Sequence, residues 1–253
     1  MPGYHKEAYW NEVAVRVRGR QDGRQIAGDD DPYYHYKRSL FLDLFNSIDF
    51  SNRSVLEIGS GPGGNLLQLT GKGCSRIAGA DISEEMIGLA RSLLQDKKVE
   101  LVKTDGLHLP FPDRSFDVVF TSTVLQHNTA EDDLNILGGE MARVSGSELL
   151  LFERIEKTIR GNETNTGRPV SYYRSLLEPH GFGLVEVRFL PLQASYVACG
   201  IIRKLANKKK RKEGEAESRA AYRLQAMILP FTRMLDRLLP SRRDLAMLRF
   251  RRK

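Results

Sequence analysis

Ser54-Val55-Leu56-Glu57-Ile58-Gly59-Ser60-Gly61-Pro62-Gly63-Gly64-Asn65 is the stretch on which the fold of this chain turns. A short apolar run containing the β-branched residues Val55 and Ile58 leads directly into four glycines, and a helical pattern follows. Strand, tight turn and helix is the order in which a backbone can approach a nucleotide-like ligand, because glycine has no Cβ and tolerates positive φ. Glycines 59, 61 and 64 satisfy G-x-G-x-x-G, whereas 59, 61 and 63 satisfy G-x-G-x-G, so the loop alone leaves the ligand open.

Outward from this turn, apolar runs alternate with helical periodicity. Strands are expected at Ser54 to Ile58, Arg76 to Ala80, Glu100 to Lys103, Phe116 to Thr121 and Glu148 to Glu153. Helices are expected at Asn65 to Thr70, Glu84 to Gln95, Glu131 to Ser145 and Val170 to His180. Ser83 reads as an N-cap with Glu84 and Glu85 in the first turn, and Gly181 as a C-cap. Two further strands, Leu184 to Leu190 and Leu245 to Arg251, bring the count to seven. The fold class is therefore α/β: a Rossmann-like, mostly parallel seven-stranded sheet with helices on both faces. Residues 1–50 read as an N-terminal helical cap, 51–253 as the main domain, and 191–244 as a basic helical insertion before the last strand. Within that insertion, Ala220 to Leu239 is helical in pattern, interrupted by Pro230.

The 253 residues carry a formal charge of +7, but residues 203–253 hold 17 Lys and Arg against 5 Asp and Glu. The basic character belongs to the C-terminal fifth, where Lys208-Lys209-Lys210-Arg211-Lys212 reads as a solvated loop or fraying helix end. No apolar run reaches the ~20 residues of a membrane span, and the first residues lack a signal-peptide core, so a cytoplasmic protein is expected. Cys74 and Cys199 are too few and too far apart for a disulfide framework or zinc site, and no His and carboxylate cluster argues for a metal.

The residues beside the loop carry chemistry. Glu57, two positions before the first glycine, suits a ligand with a positive amino group and sulfonium better than one with a pyrophosphate. Pro62 removes a backbone N–H and so weakens an anion cradle. Asp81 ends the second strand, where a carboxylate can accept both ribose hydroxyls of either kind of cofactor.

From Ser54 to Phe189 the chain resembles the class I S-adenosylmethionine-dependent methyltransferases, in particular small-molecule enzymes with an E-x-G-x-G-x-G motif. The resemblance rests on Leu56 to Gly63, Gly79-Ala80-Asp81-Ile82-Ser83-Glu84-Glu85-Met86-Ile87, Thr104-Asp105-Gly106, Leu109 to Asp117, Val124-Leu125-Gln126-His127, Glu140 to Val144 and Gly181-Phe182. It implies that the loop of Gly59, Ser60, Gly61 and Gly63 lies against the methionine part of the cofactor and that Glu57 holds its amino group. Asp81 would bind the ribose, Ile82 would pack on the adenine, Asp105 would accept the adenine amino group, and Gly106 would supply a backbone N–H. The plain alternative for Asp105-Gly106 is an ordinary turn.

Substrate contacts are expected just past the strand ends, from Thr121, Ser122, Gln126, His127, Glu153 and Arg154, with Thr121 also counted among the cofactor residues. His127 is the candidate general base, against the alternative of a histidine that only caps or packs. Glu153 reads equally as a pocket residue or a solvated strand end, and Arg168, Tyr172 and Tyr173 as substrate-facing or core. The leading function is methyl transfer to a small molecule, with a saccharide or natural-product hydroxyl as acceptor. The alternatives are a nucleic-acid enzyme using the basic segment, and docking of the insertion, with Met227, Ile228, Leu229, Phe231, Met234, Leu235, Leu238 and Leu239, on an anionic membrane. Against docking, these apolar residues would pack on the domain itself.

Overall fold

The structure is a computed structural model that describes residues 4–19, 27–28, 30–207 and 213–253; the Lys208 to Lys212 run lies outside the described residues. Its sheet consists of β1 (Ser54–Ile58), β2 (Arg76–Asp81), β3 (Glu100–Lys103), β4 (Phe116–Ser122), β5 (Ser145–Ile155), β8 (Phe182–Phe189) and β9 (Asp244–Arg252), with a short hairpin of β6 (Arg160–Gly161) and β7 (Thr166–Gly167) apart from it. The strand order is β3-β2-β1-β4-β5-β9-β8. The ladders joining β1 to β2 and β4, β2 to β3, and β4 to β5 are parallel.

The first three strands run outward from β1 to β3, and β4 then returns to the other side of β1. The direction of winding thus reverses between β1 and β4, which opens a crevice beyond their carboxyl ends. Val55, Leu56, Val118, Val119, Phe120 and the run Leu149 to Phe152 are essentially without solvent exposure, as expected of strands covered on both faces.

Helices α3 (Gly64–Leu69), α4 (Glu84–Leu93), α5 (Glu131–Val144) and α6 (Val170–Leu177) occupy the connections. Helix α4 starts as its sequence requires: the Ser83 hydroxyl accepts the Met86 N–H at 3.1 Å, and Met86, Ile87, Leu89 and Ala90 face inward. Gly181, at φ +82°, ends the turn after α6. The boundary between α5 and β5 differs from expectation. Ser145 begins the strand because it pairs with Phe116, and β5 runs on to Ile155.

The chain divides into two compact units, residues 1–26, 50–188 and 245–253 forming the first and residues 27–49 and 189–244 the second. The stretch read from sequence as one cap is therefore shared between them. Helix α1 (Lys6–Arg18) belongs to the first unit, with Val13, Ala14 and Val17 buried and Asn11 Oδ1 accepting the Ser83 hydroxyl at 2.6 Å.

The second unit contains α2 (Pro32–Asn46), α7 (Gln193–Ala206) and α8 (Arg219–Asp236). Asp31 caps α2 through the Tyr34 N–H, and Pro32 follows in the first turn. Tyr33 donates its hydroxyl to Asp244 Oδ2 at 2.6 Å, and Lys37 pairs with Oδ1 of the same carboxylate at 2.6 Å. The Arg203 guanidinium lies 4.7 Å over the Tyr33 ring, and that of Arg233 4.4 Å over Tyr36. Helix α8 runs through Pro230 rather than breaking there.

Candidate active site

Gly59, Gly61 and Gly63 take φ values of +68°, +51° and +88°, whereas Gly64 opens α3 in ordinary helical geometry. The second glycine spacing, G-x-G-x-G, is thus the one the backbone uses. A Cβ on Gly59 would also lie 2.3 Å from Val124 Cγ2, so the loop after β4 closes on the glycine turn at this point.

The N–H groups of the turn are taken up internally. Those of Gly59 and Ser60 both donate to Ala80 O, at 2.7 and 3.1 Å, and that of Gly63 donates to Ser60 O at 3.1 Å. Gly61 N–H donates to Asp81 Oδ2 at 2.8 Å, and Pro62 has none to give. A pyrophosphate cradle needs several such donors aimed at the ligand. The residues that present polar atoms here are carboxylates and a hydroxyl: Glu57, buried beneath the turn with Oε1 accepting from Asn65 Nδ2 at 2.6 Å; Asp81; and Ser60, whose buried Oγ has no hydrogen-bond partner among the described residues. Such a set fits a cationic, hydroxyl-bearing ligand.

Asp81 also accepts the Ser83 N–H at 2.8 Å through Oδ1. Burial raises its carboxyl above the usual range, and the N–H groups of Ser83 and Gly61 pull it partly back. Each oxygen accepts only one of these bonds, which leaves acceptor capacity for ribose hydroxyls. Ile82 and Gly106 meet one strand further out: a Cβ on Gly106, at φ +82°, would lie 2.7 Å from Ile82 Cδ1. Gly106 N–H donates to Thr104 Oγ1 at 3.2 Å. Asp105 is exposed and forms a local turn, accepting from the N–H groups of Leu107 and His108 and pairing with the His108 ring at 2.7 Å. The backbone and ring of His108 together hold its carboxyl down at about 2.

The loop after β4 is organised by Glu153, which is fully buried and not a solvated strand end. Its Oε1 accepts the Thr121 hydroxyl at 2.8 Å and the N–H groups of Val124 and Leu125 at 3.0 and 3.1 Å, and Oε2 accepts that of Gln126 at 3.3 Å. Burial pushes its carboxyl up to about 7. Thr121, counted from sequence among the cofactor residues, has no solvent exposure and gives its hydroxyl to this carboxylate.

His127 ends the same loop, almost fully buried. Its Nδ1 donates to Thr164 O at 2.8 Å, which leaves Nε2 to accept from Gln126 Nε2 at 3.0 Å. The Trp10 ring stands edge-on to the imidazole at 4.8 Å. Both nitrogens therefore have partners, and action as a base requires Gln126 to withdraw.

Sequence reasoning missed the part taken by α1. Lys6 binds Asn128 Oδ1 at 2.8 Å and Asp133 at 2.7 Å, while Asn11 is tied to Ser83, so the helix has fastenings after β4 and after β2, on either side of β1. Only the clustering of aromatic residues around Trp10 signalled this in the sequence. Arg168 does not face open space: it is fully buried and donates to Leu125 O at 3.0 Å and Asn128 O at 2.8 Å.

A family model described as a methyltransferase domain matches residues 56–148. Over these residues the chain is similar to methyltransferase domains, and its sheet has the fold of the class I S-adenosylmethionine-dependent methyltransferases. Ajmaline N-methyltransferase of Rauvolfia serpentina is 28% identical over 171 residues, covering 58% of each chain, so the protein spans little more than half of that relative's length. Among solved structures, the [4+2]-cyclase SpnF superposes with a TM-score of 0.61 at 16% identity, over 97% of this chain and 92% of that one. Magnesium protoporphyrin IX methyltransferase of Synechocystis PCC 6803, with bound S-adenosylmethionine, gives 0.57 at 15% identity, over 98% and 95%. These likenesses show the fold of the methyltransferase domain, and the cyclase shows that one fold carries more than one chemistry.

Proposed function

We propose that the protein transfers a methyl group from S-adenosylmethionine to a small-molecule acceptor, a hydroxyl of a saccharide or natural product. The observation that carries the reading is the glycine turn, in which each N–H from Gly59 to Gly63 is used within the protein while Glu57, Ser60 and Asp81 supply oxygen atoms. An anionic dinucleotide would meet carboxylates there. A sulfonium amino acid attached to a ribose meets complementary charge and acceptors.

On this reading Glu57 and the Ser60 hydroxyl hold the amino-acid end, Asp81 holds the ribose, and Ile82 with Gly106 flanks the adenine. The cofactor supplies an electrophilic methyl carbon. The contribution of the chain is to align an acceptor with it, which supplies effective molarities on the order of 10⁵ M, and to keep water out beneath α1. The relative named for ajmaline N-methylation supports a small-molecule acceptor and puts nitrogen beside oxygen in the acceptor screen.

Calorimetric titration with S-adenosylmethionine, S-adenosylhomocysteine and NAD tests the assignment, with Asp81→Ala in parallel. Micromolar binding of the first two, lost in the variant and absent for NAD, is the expected result. Binding of NAD alone overturns it.

A further inference from the structure

Helix α8 is packed inside out. The residues it buries are Ala221, Gln225, Leu229, Thr232 and Asp236, of which only Leu229 is large and apolar. They face a polar seam with α7: the Ser195 hydroxyl lies 2.8 Å from Thr232 Oγ1 and 2.5 Å from Asp236 Oδ2, and Ala194 N–H donates to Asp236 Oδ1 at 2.7 Å. The opposite side of α8 carries Leu224, Met227, Phe231, Met234 and Leu235 in solvent, at the spacing of three and four residues that makes one helical stripe, and Leu238 in the turn after the helix extends it. Exposure reaches 71% at Met227, 65% at Phe231 and 75% at Leu238. On α7, Val197, Ile201 and Leu205 form a second exposed row four residues apart, with Leu205 at 79%.

The expectation from sequence that these side chains pack on the protein itself holds for Leu229, and in part for half-buried Ile228, but not for Met227, Phe231, Met234, Leu235, Leu238 and Leu239, which are exposed. A helix that hides its small and polar side and shows its large apolar side is matched to apolar surroundings on the outside. Charge identifies those surroundings. Residues 193–243 carry 13 Lys and Arg against 4 Asp and Glu; Arg219, Arg223 and Arg233 lie along α8, to one side of the stripe, and Arg237 caps its end. Arginines on one side and Phe, Leu and Met on the other is the distribution of a helix that lies in the plane of a lipid interface. Among the described residues no helix is long and apolar enough to cross a membrane, and the 18 residues of α8 give it a length of about 27 Å to lay along the surface.

We infer that the α7–α8 hairpin docks the protein on an anionic lipid membrane, the apolar stripe entering the boundary between headgroups and acyl chains and the arginines pairing with lipid phosphates. Docking places the enzyme where amphiphilic acceptors collect, and it is independent of the cofactor assignment.

Co-sedimentation of the full chain with vesicles tests this without reading methyl transfer. The protein is mixed with vesicles of phosphatidylcholine alone and of phosphatidylcholine with phosphatidylglycerol, across a range of salt, and compared with Phe231→Glu, Leu238→Glu and, as a control on β8, Val185→Glu. All three substituted side chains are exposed, and circular-dichroism melting confirms that each variant is folded. Expected are binding to the anionic vesicles that weakens with salt, a loss of about tenfold or more for Phe231→Glu and for Leu238→Glu, as one large side chain is kept out of the apolar phase, and none for Val185→Glu. Absence of binding to anionic vesicles at low salt overturns the proposal, as does binding that Phe231→Glu leaves intact. It is also overturned by a dimer in free solution that Phe231→Glu splits, with no vesicle binding, which would make a second copy of the chain the occupant. Salt-sensitive binding to random-sequence RNA without vesicle binding would assign the arginines to nucleic acid and overturn it equally.

Discussion

The Thr121 hydroxyl donates to Glu153 Oε1 at 2.8 Å, and neither residue has any exposure to solvent. Burial lifts Glu153 from 4.5 to about 7, so between these values the folded chain holds a proton that the unfolded chain has released. Its contribution to stability is complete below the lower value, declines as pH rises through the window, and levels off above it. Glu153→Gln keeps the oxygen that accepts from Thr121, Val124 and Leu125 and removes the titration. Urea unfolding is expected to show the stability of wild type relative to this variant dropping by about 3 kcal/mol from about pH 4 to about pH 8.

Gly59→Ala places a methyl 2.3 Å from Val124 Cγ2 at a φ of +68°. The left-handed backbone and the displaced valine together cost about 3 kcal/mol, measured by denaturant unfolding, and cofactor affinity falls with them. Gly88→Ala is the contrast. Gly88 lies within α4 with nothing inside 4 Å of its added Cβ, and the change raises stability by about 1 kcal/mol.

Arg168→Met leaves the carbonyls of Leu125 and Asn128 without their buried donors and lowers stability by about 3 kcal/mol. Arg168→Lys recovers less than half of this, because a single ammonium cannot reproduce the guanidinium fork. Unfolding midpoints at constant denaturant slope read both.

His127→Ala separates holding from proton transfer. With Nδ1 and Nε2 both engaged and Trp10 at 4.8 Å, the imidazole is expected to act by keeping the loop around Thr164 and helix α1 in place. The variant should lower kcat/KM for methyl transfer while the pH profile keeps its shape. Loss of a limb from that profile would identify the imidazole as the base.

The strands β1 to β5, the caps at Ser83 and Gly181 and the insertion before the last strand were legible because each depends on local pattern: alternation of apolar residues, a side-chain oxygen before a helix, glycine where φ is positive. The segment from Val55 to Gly64 determined by itself that a strand, a glycine turn and a helix follow one another, and Glu57, Pro62 and Asp81 already leaned toward a cationic ligand. Only the tertiary structure decided which glycines bend the chain, because both spacings fit the sequence, and the turn is held by N–H groups given to Ala80 and Asp81 on the neighbouring strand as well as by that of Gly63 given to Ser60. It alone buried Glu153 and Thr121 together, separated the helices of the first fifty residues, and turned the apolar side of α8 outward. Each of these depends on partners distant in sequence: the polar pairing of Ser195 with Asp236 across 41 residues directs which face of α8 is hidden, and periodicity, the same for either face, carries no sign of it.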